Sequence, residues 1–150
     1  MRAFLGLGSN QGNSRRLLRE AVEALGSEVV GVSSLYETEP LGGPPGQPPF
    51  LNVVVELETD LTPRQLLGVG RRLEADAGRT RSQRWGPRTL DVDVLLVGSL
   101  RVDDPDLTVP HPRMNERRFV MAPLAELAPD VVPAGWQQRA VGAVRVAGSL

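Results

Sequence analysis

Two aspartates separated by one residue, Asp91 and Asp93, are the side chains of this sequence whose spacing is most suggestive of chemistry. They lie in an apolar, β-branched run over residues 90–97 that predicts a strand, in which alternate side chains share a face. Their carboxylates would lie roughly 6.6 to 6.8 Å apart on one face, with the intervening apolar residues facing the core. Such a pair can hold two Mg²⁺ ions about 3.5 to 4 Å apart. An exposed face that carries acids for solubility is the alternative, although like charges on one strand face repel.

A cluster of arginines leads into this strand. Between residues 71 and 88 the sequence has six arginines against only Glu74 and Asp76. Guanidinium groups bind phosphate bidentately, and Mg²⁺ together with arginine stabilises a phosphoryl group in transfer. For any one arginine a solvated surface ion pair is the simpler explanation, but the cluster beside paired acids favours phosphate chemistry. The cluster comprises Arg71, Arg72, Arg79, Arg81, Arg84 and Arg88.

The residue types that are absent exclude much other chemistry. The sequence has no cysteine and no lysine, so thiolate nucleophiles, Schiff bases and the lysine of a P-loop are excluded. Its single histidine, His111, also excludes sites that need two imidazoles. Held between two prolines, His111 could donate to phosphate or transfer a proton, or it could be a surface loop residue. The remaining oxygen and guanidinium groups suit Mg²⁺ and phosphate.

Length and composition predict one catalytic domain over residues 1–150, with a single core. No apolar run approaches the roughly 20 residues of a membrane span, and the apolar stretch near the start is too short for a signal peptide. A net charge of −1 argues against a general nucleic-acid binder. We therefore expect a cytoplasmic monomer that acts on small molecules, with neither nucleic acid nor membrane as a partner.

The apolar periodicity predicts seven elements that must position these residues. Strands are expected over 2–7, 28–37, 51–58 and 90–97, and helices over about 14–25, 62–77 and 119–127. This order is that of a ferredoxin-like split βαβ unit, so we expect an α/β (α+β) sandwich with a mainly antiparallel sheet and packed helices. The segments 40–49 and 78–87 are predicted to be loops, the second closing over ligands. Residues 135–150 show only weak patterning.

Several motifs, in order along the chain, resemble the 6-hydroxymethyl-7,8-dihydropterin pyrophosphokinase family. They are Gly8-Ser9-Asn10, the segments 36–42 and 50–52, and Val109-Pro-His111, together with the unbroken string Arg84-Trp-Gly-Pro-Arg-Thr-Leu-Asp-Val-Asp93. The resemblance covers roughly residues 1–130. It implies a ferredoxin-like fold and the transfer of pyrophosphate from ATP to the pterin's hydroxymethyl group, releasing AMP, in folate biosynthesis.

The resemblance also assigns roles to individual residues. Asp91 and Asp93 match ligands of two Mg²⁺ ions and, with Arg79, Arg81 and Arg88, form the implied catalytic set. The ATP side would comprise Glu74, Arg79, Arg81, Arg88, Thr108, His111 and Arg117. The pterin side would comprise Thr38, Leu41, Phe50, Asn52, Trp85 and Phe119, with Phe50 and Phe119 stacking on the ring, although isolated aromatics by themselves indicate core positions. Departures from residues that some members carry occur at Arg71, Ser82, Asp106 and Pro112.

Two other classes of function compete with this interpretation. A two-metal nucleotidyl transferase or cyclase would explain an Asp-x-Asp strand on the same fold, but would leave Asn52 with Phe50 and Phe119 unexplained. An RNA-binding module on this fold needs a string of exposed aromatic residues on its sheet. With aromatic residues at 4% of the sequence, no such string occurs.

Overall fold

The computed structural model describes residues 1–10, 13–39, 48–79 and 90–150, apart from the side chain of Arg79. Most of its regular elements follow the predicted order. The strands are β1 (Arg2–Ser9), β2 (Val29–Val32), β3 (Tyr36–Thr38), β4 (Phe50–Glu58), β5 (Asp91–Val97), β6 (Val102–Asp104), β7 (Leu107–Val109) and β8 (Arg145–Val146). The helices are α1 (Ser14–Leu25), α2 (Pro63–Arg79), α3 (Arg118–Leu127) and α4 (Trp136–Arg139).

The main sheet has the strand order β5-β1-β4-β3-β8, and β2 pairs with the same strand, β4, as β3 does. The strand pairs of this sheet are antiparallel. With α1 following β1 and α2 following β4, this is the ferredoxin-like arrangement, which confirms the predicted fold class. The strands β6 and β7 form a separate hairpin that contacts β5 and α2.

Helices cover both faces of the sheet and divide the apolar core in two. On one face α1 and α2 bury Leu18 and Leu66 against alternate residues of β1 and β4. On the other face α3 lies over β4 and β3, and its Met121 and Leu124 contact the cluster that includes Phe4. The α3 face is covered less completely, because α3 is a single ten-residue helix.

A β-bulge in β5 determines which face each of its residues uses. Leu5 of β1 pairs with Val94, whereas the preceding Phe4 pairs with Leu96, so Leu95 is the extra residue on β5. Before the bulge, Val92 and Val94 join the core under α1 and α2. Because side chains alternate, Asp91 and Asp93 share the opposite face, on which Leu95 joins the core under α3. The predicted common face of the two aspartates is confirmed.

The expected continuous strand over 28–37 was wrong, because it is broken between β2 and β3. At the break the Ser33 amide donates to Val54 O at 2.9 Å, and the Ser33 hydroxyl accepts from Val54 N at 2.9 Å. A side chain therefore replaces the backbone acceptor of a regular ladder. The next residue, Ser34, donates its amide to a Glu126 carboxylate oxygen on α3 at 2.9 Å. The apolar periodicity of the sequence could not predict either contact.

Further elements were not predicted, namely the β6–β7 hairpin, and the helix α4 and the strand β8 within the weakly patterned end of the sequence. All of them are short, and β8 pairs with the distant strand β3, whereas β6 and β7 pair with each other. Across the four described ranges, no helix combines the length and apolar character that crossing a membrane requires.

The approach of α2 to β5 depends on a glycine, which supplies a first testable prediction. A Cβ at buried Gly70 would lie 3.0 Å from Val92 Cγ1, whereas one at exposed Gly68 would meet nothing within 4 Å. We expect Gly68→Ala to stabilise the fold by about 0.5 to 1 kcal/mol through helix propensity. In Gly70→Ala the same gain is opposed by overpacking worth about 1 to 3 kcal/mol. Urea unfolding of both variants compares them, and equal stabilisation would contradict the tight packing described here.

Candidate active site

On the face that the two aspartates share, the adjoining residues of β1 are glycines and carry no side chains. In the sheet register Asp91 pairs with Gly8 and Asp93 with Gly6. On the other side of β1, Gly8 pairs with Asn52 of β4. Because paired residues across a sheet share a face, one row runs from Asp91 over Gly8 to Asn52. The glycines, here called the glycine floor, let neighbouring side chains approach the backbone of β1, since a Cβ at Gly6 would lie 3.4 Å from Leu95 Cδ1.

Glu74 supports the aspartate strand from α2. Its Oε2 atom accepts a hydrogen bond from the backbone N–H of Val92 at 3.0 Å, between the two aspartates. β5 is an edge strand, so this N–H points away from β1 and would otherwise have no strand partner. The family resemblance places Glu74 on the nucleotide side, and the structure gives it a positioning contact with β5 as well.

His111 faces Asp93 from the segment that follows β7. Its Nε2 lies 4.0 Å from Asp93 Oδ1, and its backbone N–H donates to Leu95 O at 3.0 Å. The Nδ1 atom accepts from the Arg113 N–H at 3.3 Å, which leaves Nε2 as the protonated nitrogen of the neutral ring. Burial lowers the pKa of His111, while the charge of Asp93 opposes that shift. The imidazole is therefore a neutral N–H donor near pH 7.

A cleft of about 260 Å³ lies between β5, α2 and the β6–β7 hairpin. Asp93, Thr108 and His111 line it, together with Asp106 at the hairpin turn. The Asp106 carboxylate accepts from Arg64 Nη1 at 2.8 Å and from Nη2 at 2.9 Å, and the Arg64 contact lowers the pKa of Asp106. The cleft thus joins one of the paired acids to the predicted nucleotide residues Thr108 and His111.

The departures from the family pattern at Arg71 and Asp106 are neighbours in space. Arg71 Nη2 lies 4.0 Å from Asp106 Oδ2, and Arg64 also donates to Asp104 at 2.7 Å. The hairpin is therefore tied to α2 by charge pairs rather than by apolar contacts alone. These ion pairs are exposed, so each is worth little in stability, but together they fix the hairpin wall of the cleft.

The predicted pterin residues gather on β3, β4 and the start of α3. Asn52 is 7% exposed, and its Nδ2 donates to Thr38 Oγ1 at 3.3 Å. Thr38 pairs in turn with Phe50 across the two strands. Phe119 lies in the first turn of α3 with the Arg117 guanidinium 5.6 Å from its ring centroid. Phe50 and Phe119 are both half-buried, and Phe119 packs against the apolar cluster under α3.

Part of the predicted set lies outside the described residues, and its roles stay predictions. These residues are Leu41, Arg81, Trp85 and Arg88, with the side chain of Arg79. The expected closure of the 78–87 segment over ligands falls there as well.

Sequence reasoning missed the glycine floor and the second contact of Glu74. A Cβ at Gly8 would lie 2.8 Å from Asn52 Oδ1, closer than real Cβ atoms approach. Glycine inside a strand is itself a sign of close approach, so Gly6 and Gly8 in an apolar run were the available signal. The Glu74 contact to Val92 depends on helix packing and left no pattern in the sequence.

Comparison with known proteins identifies the family of the chain. The model of the 7,8-dihydro-6-hydroxymethylpterin-pyrophosphokinase (HPPK) family matches residues 4–129. The chain belongs to the HPPK family. The HPPK match includes both aspartates, the glycine floor, Asn52 and His111, and it leaves residues 130–150 outside.

Curated HPPK relatives are similar over most of their length. The chain is 47% identical over 133 residues to a 2-amino-4-hydroxy-6-hydroxymethyldihydropteridine pyrophosphokinase of Bacillus subtilis, covering 86% of this chain and 79% of that protein. A Methylorubrum extorquens protein of the same name is 48% identical over 138 residues, covering 89% and 87%. One of Pseudomonas aeruginosa is 46% identical over 134 residues, covering 87% and 82%.

Among solved structures, the chain resembles a Plasmodium falciparum HPPK-DHPS triple mutant crystallised with pteroate. The TM-score is 0.58 at 14% identity, over 83% of this chain but only 39% of that one. At this identity the likeness supports the fold alone. It agrees with the ferredoxin-like arrangement of the sheet.

The glycine floor gives a second testable prediction. Gly8→Ala should destabilise the fold by about 1 to 3 kcal/mol, because the added methyl group meets the Asn52 amide. In an Asn52→Ala background that amide is gone, so the same change should cost much less. A double-mutant cycle by urea unfolding measures the coupling. Additive effects of the two substitutions would show that Asn52 does not occupy the space above Gly8.

Proposed function

We propose that residues 1–150 act as one catalytic domain that transfers pyrophosphate from ATP to 6-hydroxymethyl-7,8-dihydropterin, releasing AMP, in folate biosynthesis. The observation that carries the proposal is the row from Asp91 over Gly8 to Asn52, within a chain of the HPPK family. In that row a carboxylate edge suited to metal-bound phosphate faces a buried amide suited to a heterocycle. Gly8 between them lets the Asn52 amide lie close to the backbone of β1 beside the acidic edge.

The paired acids fit Mg²⁺ as the metal. Within the described ranges no three acidic or histidine side chains form a group that could enclose an ion. Mg²⁺ commonly takes one or two carboxylates and completes its octahedron with waters and substrate phosphates, so Asp91 and Asp93 suffice as protein ligands for two ions. Bound there, Mg²⁺ would neutralise the charge that develops on the transferring phosphates.

The described residues on the ATP side have distinct tasks in this proposal. The neutral His111 offers its Nε2–H to a phosphate oxygen, and Thr108 lines the same cleft. Arg117, which lies over the Phe119 ring, is proposed to contribute positive charge on the ATP side. Arg79, Arg81 and Arg88 are proposed to bind phosphate, and Glu74 to hold β5 in place.

The residues on the pterin side are proposed to contact the ring at its edge and on its two faces. Asn52, oriented by Thr38, would hydrogen-bond the pyrimidine edge, and Phe50 and Phe119 would stack on the ring. Leu41 and Trp85 are proposed to complete this side. The pterin hydroxyl oxygen forms a bond to the β-phosphorus of ATP as the bond from that phosphorus to the bridging oxygen of the α-phosphate breaks; AMP leaves with that oxygen, and the hydroxyl proton is released to water. Positioning the two reactants is the main catalytic task.

A product assay tests the proposal. The chain is incubated with ATP, MgCl₂ and 6-hydroxymethyl-7,8-dihydropterin, and the nucleotides are separated by chromatography. We expect one AMP for each pterin diphosphate formed, with no AMP when the pterin is omitted. Formation of ADP would instead indicate transfer of a single phosphoryl group, and the absence of both AMP and ADP would also refute the proposal. We also expect a monomer on size-exclusion chromatography and a cytoplasmic location, with small molecules as the only partners.

Replacement of the paired acids is the third testable prediction. Asp91→Ala and Asp93→Ala should each reduce AMP formation at saturating Mg²⁺ by at least about a hundredfold, because a metal ligand is lost. Thermal stability should stay near that of the parent, since both carboxylates are partly exposed and Asp93 is 44% exposed. Asp60→Ala, at an exposed position after β4, is the matched control and should keep full activity. Near-normal turnover of either site variant would show that it is not a metal ligand.

The fourth prediction separates the two substrates. Asn52→Ala should raise the KM for the pterin about tenfold or more, because a hydrogen bond to the ring edge is lost. The KM for ATP should change less than about twofold, because Asn52 lies across the glycine floor from the acidic edge. Steady-state kinetics with each substrate varied in turn measures both constants. An equal rise in both would argue against a pterin contact at Asn52.

A further inference from the structure

We propose that residues 140–150, here called the strap, are a positioning element for the pterin side of the site. The strap would hold β3 and the start of α3 in fixed positions. The strap lies outside the 4–129 range of the family match. The inference rests on the proposed function, since it concerns the substrate that this side would bind.

One end of the strap completes the outer edge of β3. Within the strap, β8 pairs with β3 so that Val146 lies opposite Tyr36 and Arg145 opposite Glu37. The ladder continues beyond β8, because Ala147 N donates to Leu35 O and Leu35 N donates to Gly148 O, both at 2.8 Å. An ion pair of Arg145 Nε with Glu37 Oε2 at 3.0 Å adds a side-chain contact.

The other end of the strap is fixed to the start of α3. Arg118 N donates to Val141 O at 3.1 Å, and Val141 N donates to Glu116 O at 2.8 Å. The Arg118 side chain also donates to Ala140 O at 2.8 Å. These bonds enclose Arg117, whose guanidinium lies over the Phe119 ring. The strap therefore hydrogen-bonds both segments that flank the proposed pterin residues.

The attachments at both ends of the strap are backbone hydrogen bonds, with some apolar packing beside them. Val141 is 71% exposed and Val146 is 62% exposed, whereas Ala140 is buried and Ala147 and Leu150 pack in part against the core under α1 and α2. The strap therefore joins β3 and the start of α3 by hydrogen bonds at two places, which is what alignment of a short strand requires. β3 has only three residues, and its Thr38 orients the Asn52 amide. An edge strand of that length held on one side alone is a weak support for a binding residue.

A matched pair of substitutions at one residue tests the proposal in the full chain. Ala147→Pro removes the N–H that donates to Leu35 O, whereas Ala147→Ser keeps that N–H and serves as the control. Calorimetry with 6-hydroxymethylpterin and, separately, with Mg²⁺ and α,β-methylene-ATP measures the two affinities. We expect Ala147→Pro to weaken pterin binding about fivefold and to leave the nucleotide affinity unchanged. Ala147→Ser should match the parent in both.

A second variant covers the case in which Ala147→Pro does not fold. Gly148 has a φ of +101°, which a side chain disfavours, so Gly148→Ala strains the same attachment while keeping its hydrogen-bonding groups. We expect the same selective loss of pterin affinity, with a smaller amplitude.

The alternative outcomes are distinct from one another. A lower melting temperature with both affinities unchanged would overturn the proposal and leave the strap as a purely stabilising edge. Equal weakening of both ligands would overturn it too, since that indicates general loosening of the fold. Failure of the parent chain to form AMP in the product assay would refute the proposed function before any variant is compared, and the inference about the strap would fall with it.

Discussion

The register of β1 against its two neighbours places Asn52 and Asp91 on opposite sides of Gly8. One central strand therefore aligns the acidic edge with the buried amide, because each half of the candidate site is fixed by backbone hydrogen bonds to β1. A slip of one residue in either pairing would turn one half to the opposite face. The alternating apolar residues Leu5 and Leu7 resist such a slip, because they are buried under α1 and α2. Core packing on one face thus fixes the geometry of the site on the other.

Hydrogen bonds and ion pairs around the site hold its residues in position. Glu74 satisfies an edge N–H of β5, and His111 is held by its own backbone bond to Leu95. On the hairpin side, Arg64 donates hydrogen bonds to the Asp106 carboxylate. This pairing offsets a negative charge that would otherwise repel phosphate in the cleft. The departure from the family pattern at Asp106 is compensated within the same wall of the cleft.

The sequence alone was sufficient for those features that depend on local periodicity. The alternation in β5 predicted the common face of Asp91 and Asp93, and the order of strands and helices predicted the fold class. The break at Ser33 and the strap were missed because each depends on partners far away in the sequence, and the β6–β7 hairpin was missed because its strands have only three residues each. In the site, Asn52 and Thr38 were assigned to the pterin side only through the family resemblance, and their contact could not be predicted because it joins two strands. The sequence places Gly8 beside a predicted strand, but it does not show that the Asn52 amide lies above this glycine.

The bulge at Leu95 lets β5 serve both faces of the sheet in a way that regular alternation would not allow. Upstream of it the strand presents acids to the α3 face, and downstream Val97 returns to the core under α1 and α2. Because Asp93 and Val97 are separated by an even number of positions, they would share a face in a regular strand. The extra residue shifts the alternation by one position and so keeps the carboxylates out of the apolar core, where ionised groups are costly. Deletion of Leu95 would restore regular alternation and keep both orientations, whereas loss of the bulge with every residue retained would turn either the acids or Val97 to the wrong face.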